Sequence, residues 1–259
     1  MMNDYLNQHF GLNGKRALVT GASRGIGRAN AEALAAAGAD VCVHYNKSRA
    51  AAEDVVRSIR ERGGSRWSAR ADLTNTKAVG ILFEKIKRRW GALDILVNNA
   101  GDMTERRVLA ETDDRLLDRL LRVNLHSTLY ATRAAIPLLQ RGTAPVIINT
   151  SSISAHSGGG GGVTVYAATK GAIHTFTRGL AKELAPNIRV NAIAPGVILT
   201  DLHRKLSTHQ KLRRFAQSTP LQRNGQPEDC GSAVVFLAGA GASFITGEVI
   251  EINGGLWVA

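Results

Sequence analysis

RALVTGASRGIGRANAEALAAAG, residues 16 to 38, runs from an apolar stretch through a glycine turn into an alanine-rich segment. Arg16 to Thr20 predict a short buried strand, and Arg28 to Ala37 a helix that Gly38 ends. Between them, Gly21-x-x-x-Gly25-x-Gly27 lets the backbone turn sharply and approach a pyrophosphate at the positive end of that helix. A glycine pattern alone is common by chance, whereas one set between a strand and an amphipathic helix points to dinucleotide binding.

The pattern then repeats along the chain. Strands are predicted at Val41 to Tyr45, Arg66 to Ala71, Asp94 to Asn98, Pro145 to Thr150, Ile188 to Ala194 and Glu248 to Ile252. Helices are predicted at Arg49 to Arg62, Thr74 to Trp90, Thr112 to Gln140 and 164 to 185, with a last one beginning near Pro227. Pro137 kinks or ends the long helix at 112 to 140. Strands alternating with helices build an α/β fold, a doubly wound parallel sheet of the Rossmann type with helices on both faces, whose ligands sit at the carboxyl ends of the strands. Gly21, Asp72 and Asn99 all fall at such ends.

A site for NAD places an Asp or Glu at the end of the second strand to hold the ribose 2′-hydroxyl. Here that end reads Asn46-Lys47-Ser48-Arg49, and Asp40 lies at the other end of the strand. Together with Arg24, these residues offer charge and donors suited to a 2′-phosphate, so NADP is favoured over NAD. An ordinary polar loop is the plain alternative.

SISAHSGGGGGVTVYAATK, residues 152 to 170, carries the chemistry. On a helix from 164, Tyr166 and Lys170 stand at i and i+4 on one face. An ammonium held near a phenol favours the phenolate, which would bring a group of ordinary pKa about 10 toward the neutral range. The five glycines 158 to 162 read as a mobile segment over the site or as a spacer. Asp201 to Ser218 reads equally as a substrate lid or a surface helix.

The chain has 259 residues with 44% apolar and 21% charged residues, which excludes a disordered class and fits one folded domain with a short N-terminal extension, residues 1 to 12. Without a leader-like start or a membrane-length apolar run, the protein is expected to be cytoplasmic and not to enter a membrane. Cys42 and Cys230 read as unpaired buried thiols, and no Cys/His spacing suggests a metal. The formal charge of +12 is spread along the chain, with clusters at Lys85 to Arg89 and Lys205 to Arg214. No nucleic-acid motif accompanies it.

Taken together, TGASRGIG at 20 to 27, DL at 72 to 73, NNAG at 98 to 101, Asn124, Ser152, YAATK at 166 to 170, PGVILT at 195 to 200 and the closing TGEVIEINGG resemble the short-chain dehydrogenase/reductase family from about Leu12 to Trp257. The 3-oxoacyl-carrier-protein reductase and sugar dehydrogenase branch is the most similar. The resemblance implies that Tyr166 exchanges a proton with the substrate oxygen, which Ser152 hydrogen-bonds. It implies that Lys170 depresses the Tyr pKa and holds the nicotinamide ribose, and that Asn124 anchors a water leading from Lys170 to solvent. Gly21, Ser23, Arg24, Gly25, Ile26 and Gly27 would hold the pyrophosphate, and Asp72 and Leu73 the adenine. Asn99, Ala100 and Gly101 would flank the cofactor, with Pro195, Gly196, Val197, Ile198 and Thr200 on its nicotinamide side.

The segment between Ser152 and Tyr166 is slightly longer than in many relatives, so Ser151 competes with Ser152 for the substrate; Ser152 is chosen because it aligns from the strand side. The expected activity is NADP(H)-dependent interconversion of a small-molecule carbonyl and an alcohol. An acyl-carrier-protein-linked substrate could dock on Arg133, Arg141, Arg178 and Lys182. A sugar or small ketone is the alternative substrate, and a non-catalytic cofactor sensor the alternative function. The family is usually a homotetramer.

Overall fold

The computed structural model describes residues 2–64, 66–201 and 207–258. Seven strands form one parallel sheet in the order β3-β2-β1-β4-β5-β6-β7. They are β1 (Arg16–Val19), β2 (Asp40–Tyr45), β3 (Arg66–Arg70), β4 (Ile95–Asn98), β5 (Val146–Thr150), β6 (Arg189–Pro195) and β7 (Val249–Ile252). The order reverses between β1 and β4, which opens a crevice above their carboxyl ends.

Successive strand side chains point to opposite faces, and each face has its own core. Ala17, Val19, Val41, Val43, Val97 and Ile148 pack with α2 (Gly25–Ala36), α3 (Arg49–Glu61) and α10 (Pro227–Ala238). Leu18, Cys42, Leu96, Ile147 and Val190 pack on the other side with α4 (Thr76–Trp90), α6 (Ser127–Leu139) and α8 (Thr164–Leu184). Both cysteines are free and buried, as their sequence context suggests. The N-terminal extension forms α1 (Met2–Phe10), whose Phe10 ring lies 6.3 Å from Phe236 of α10. No described helix is long and apolar enough to cross a membrane, and the described residues hold no cluster able to bind a metal ion.

Three readings need correction. The helix expected over 112 to 140 is broken into a 3-10 turn (Leu109–Glu111), α5 (Asp114–Leu121), a π turn (Arg122–His126) and α6. Pro137 sits in the last turn of α6 and does not interrupt it. The cofactor-side helix α2 begins at Gly25 rather than Arg28, so Gly25 and Gly27 belong to its first turn. In the stretch read equally as a lid or a surface helix, α9 occupies His209–Ser218, capped by Thr208, whose hydroxyl accepts from Lys211 N; residues 202–206 lie outside the described residues.

Candidate active site

The glycine turn is stitched to the loop after β4. Thr20 Oγ1 donates to the Val97 carbonyl at 3.2 Å and accepts from Asn99 N at 2.9 Å and Ala100 N at 3.0 Å. Asn99 Nδ2 donates back to Thr20 O at 3.0 Å and Gly21 O at 3.2 Å. A Cβ at Gly21 would stand 2.9 Å from Ala100 Cα, and one at Gly27 would overlap Asn99 Nδ2 and Gly21 O. No side chain therefore fits at either of these two positions. Arg24, the N-cap of α2, gives no side-chain cap, so the first N–H groups of the helix remain for an anion. A turn with bare backbone at Gly21, Gly25 and Gly27, opening on a helix start without a side-chain cap, fits a pyrophosphate. Thr200 overhangs it, its Cγ2 lying 3.3 Å from where a Gly25 Cβ would be.

Behind the turn stands a residue that sequence reasoning missed. His44 is 2% exposed; its Nδ1 accepts from Gly21 N at 3.1 Å, and its Nε2–H donates to Ala71 O at 3.1 Å. Burial pushes its pKa down to about 4, against smaller opposing effects of the Ala71 carbonyl and Asp72. The imidazole is thus neutral in the fold, while in the unfolded chain it takes up a proton near its ordinary 6.5. Stability should therefore fall as pH drops from about 6.5 to about 4, by up to about 3 kcal/mol. Urea unfolding of wild type and His44→Gln at pH 7 and pH 4.5 checks this. Parallel losses in the two proteins would show that His44 is not the titrating group.

At the far end of β2, Asn46 and Lys47 are exposed and Ser48 is half-buried. Arg49 is engaged by Glu53 at 2.7 Å, whereas Arg24 and Lys47 have no ion-pair partner among the described residues. Asp40 accepts from Trp90 Nε1 at 2.8 Å at the opposite end of the strand, well away from this corner. Asp72 caps its own turn, accepting from Thr74 N at 2.9 Å and Thr74 Oγ1 at 2.8 Å. Leu73 and Ile198 pack within the two cores. Val197 and Ile198 also border a cavity of about 290 Å³ lined by Leu221 and Leu256.

The second cluster gathers at the ends of β4 and β5. Tyr166 and Lys170 lie one turn apart on α8, with Lys170 Nζ 5.7 Å from the Tyr166 ring centre. Lys170, 4% exposed, donates from Nζ to Thr150 O at 2.7 Å, and burial lowers its pKa to about 8. The phenol moves opposite to the expected direction. Burial pushes Tyr166 up to about 12, and Asp102 raises it further, while a hydrogen bond with the Ser152 hydroxyl draws it back. Desolvation decides the direction, and the same burial lowers the neighbouring ammonium only to about 8, so it stays largely charged at neutral pH.

The two serines face different ways. Ser151 Oγ is committed to the Lys170 carbonyl at 3.1 Å, whereas Ser152 Oγ accepts from Ser154 N at 3.1 Å and faces Tyr166. Asn124, fully buried in the π turn, donates to Asp102 O at 2.8 Å and Leu120 O at 3.0 Å and accepts from Asp102 N at 3.0 Å. Its amide thus locks the loop after Gly101. A Cβ at Gly101 would lie 2.8 Å from Asn124 Oδ1 and 3.5 Å from Lys170 Nζ, which shows how tightly these three residues meet. All five glycines from 158 to 162 have positive φ, between 53° and 81°, so the run is a left-handed connection that other residues would strain. It closes on the loop beyond Asp102, where Arg107 N donates to Gly162 O at 2.8 Å.

Residues 21–257 match the family model described as enoyl-(acyl carrier protein) reductase. The chain is 38% identical over 245 residues to 3-oxoacyl-[acyl-carrier-protein] reductase FabG of Staphylococcus aureus, covering 94% of this chain and 98% of the relative. Among solved structures it resembles 7α-hydroxysteroid dehydrogenase complexed with NADH and 7-oxo glycochenodeoxycholic acid, with a TM-score of 0.91 and 33% identity over 96% of each chain. It also resembles gluconate 5-dehydrogenase from Burkholderia cenocepacia in complex with NADP and tartrate, with a TM-score of 0.89 and 33% identity over 96% of this chain and 97% of that one.

Proposed function

The chain belongs to the short-chain dehydrogenase/reductase family of oxidoreductases, and from that premise we propose that it reduces a ketone, or oxidises the corresponding alcohol, with NADP(H). The single observation that carries the reading is the convergence of Tyr166, Lys170 and Ser152 in a fold whose glycine turn admits no side chain at Gly21 or Gly27. When bound, the nicotinamide supplies or accepts the hydride.

The protein's own residues do the rest. The Gly21 to Gly27 turn with Asn99, Ala100 and Thr200 holds the pyrophosphate, and Asp72 with the Leu73 backbone borders the adenine. Arg24 and Lys47, with Asn46 and Ser48, receive the 2′-phosphate: a guanidinium and an ammonium without an ion-pair partner among the described residues suit a phosphate. Ser152 donates to the substrate oxygen, and Tyr166, protonated at neutral pH, gives that oxygen its proton. Lys170 reloads the phenol and holds the ribose, while Asn124 fixes the loop at Gly101 and so sets the width of the site. The similarity to FabG and the charge of +12 support a carrier-linked 3-oxoacyl chain as one substrate class, with free small ketones and sugars as the other.

The expected result is loss of reduced-nicotinamide absorbance with at least one carbonyl in a panel of free ketones, sugars and carrier-linked 3-oxoacyl thioesters, with higher kcat/KM for NADPH than for NADH. Arg24→Ala should narrow that preference by roughly tenfold, the worth of one charge-assisted contact. Cofactor binding without turnover on any substrate would make the protein a sensor, and equal efficiency with NADH would remove the 2′-phosphate assignment.

A further inference from the structure

The crossover after Ser152 contains a set of titratable and aromatic side chains outside the Tyr166–Lys170–Ser152 cluster. His156, in the short turn α7 (Ser154–Ser157), donates from Nε2 to Glu251 Oε1 of β7 at 2.8 Å. Glu251 accepts a second bond at Oε2 from Asn253 Nδ2 at 3.0 Å. Asn253 Nδ2 also donates to Trp257 O at 3.1 Å, and the Trp257 ring stacks on His156 at 5.0 Å and 11°. On its other side His156 meets His174 edge-on, with ring centres 4.8 Å apart. His174 lies at i+4 from Lys170 and i+8 from Tyr166 on α8, and Arg178 and Glu248 stand around it. Both His156 and Glu251 side chains are about one-fifth exposed, so the pair is shielded but not sealed.

This network holds α7, and α7 holds Ser152: Ser154 N at its start donates to Ser152 Oγ at 3.1 Å. With one lone pair so engaged, the Ser152 hydroxyl can be oriented with its proton toward Tyr166 and the substrate oxygen. We infer that His156, held by Glu251, is a positioning residue that sets the orientation of Ser152 through the α7 turn. The inference rests on the reading of Ser152 as hydrogen-bond donor to the substrate oxygen. The glycine run that follows α7 cannot do this work, since five residues of left-handed backbone give no side-chain anchor.

The test is a double-mutant cycle between His156→Ala and Ser152→Ala, with kcat, KM, cofactor affinity and melting temperature measured for each. His156→Ala should lower kcat roughly 10- to 100-fold, the effect of misplacing one group by about an ångström, with cofactor affinity unchanged. His156→Gln, which keeps an N–H near the Nε2 position, should restore most of kcat. In the Ser152→Ala background, His156→Ala should change kcat by less than about twofold, because its effect passes through a hydroxyl already gone. Equal losses in both backgrounds, or a wild-type kcat in His156→Ala, would overturn the inference. If Ser152→Ala alone keeps full kcat, the assignment of Ser152 falls as well, and that single variant separates the two failures.

Discussion

Tyr166→Phe should lower kcat for carbonyl reduction by roughly 10²- to 10⁴-fold while leaving cofactor affinity and melting temperature unchanged. The substitution keeps the ring beside Lys170 and removes only the hydroxyl that faces Ser152. Because burial holds the phenol near 12, wild-type Tyr166 is protonated across the neutral range, the form that donates to a developing alkoxide. Alcohol oxidation requires the phenolate, so that direction should climb as pH rises. Lys170 adds a second signature. Its ammonium population falls as pH passes about 8, so reduction by the wild type should decline above that point as the phenol loses its proton supply. The residual rate of Tyr166→Phe, with no phenol to reload, should not follow. Steady-state rates at the reduced-nicotinamide band between pH 6 and 10 read all of this. A Phe variant with wild-type kcat would leave proton transfer without a donor.

Asp94→Ala should cost about 3–5 kcal/mol of stability, the penalty for leaving a buried charge partner uncompensated. In a chain of this length that is a fall in melting temperature of roughly 10 °C. Asp94 is 1% exposed at the amino edge of β4 and accepts from Arg16 Nε at 2.8 Å and Nη2 at 3.0 Å, from Arg16 N at 2.8 Å and from Thr143 N at 2.6 Å. Removing it strands a part-buried guanidinium and two backbone N–H groups together. Burial alone would raise the carboxyl's pKa, but the Arg16 side chain, with the backbone N–H groups of Thr143 and Arg16, outweighs it and holds the group below its usual 3.8. Its contribution is therefore present above about pH 4 and disappears as pH falls through the lowered value. Asp94→Ala should lack that acid-dependent step. The carboxylate lies at the opposite edge of the sheet from Tyr166, so kcat of the folded variant at 25 °C should match wild type. An unchanged melting temperature would show that β1 and β4 are anchored elsewhere.

The strands, their order of appearance and the alternation with helices were legible in the sequence because apolar periodicity is a local property: Ala17 and Val19 face one core and Leu18 the other, as period 2 requires. So was the placing of Tyr166 with Lys170, which needs only helical spacing, and the empty backbone of Gly21 and Gly27, which needs only the absence of Cβ. What stayed hidden depends on partners far along the chain. The break at 122 to 126 is tied to the Asn124 amide meeting Asp102, on another element, and nothing within the helix announces it. His44 reads as one more buried position in a strand until Gly21 and Ala71 arrive on either side of it. His156 and Glu251 are brought together across 95 positions by the sheet itself. The direction of the Tyr166 shift was the least accessible of all. Residue spacing can set an ammonium next to a phenol, but desolvation sums over every group packed around both, and only the assembled tertiary structure performs that sum.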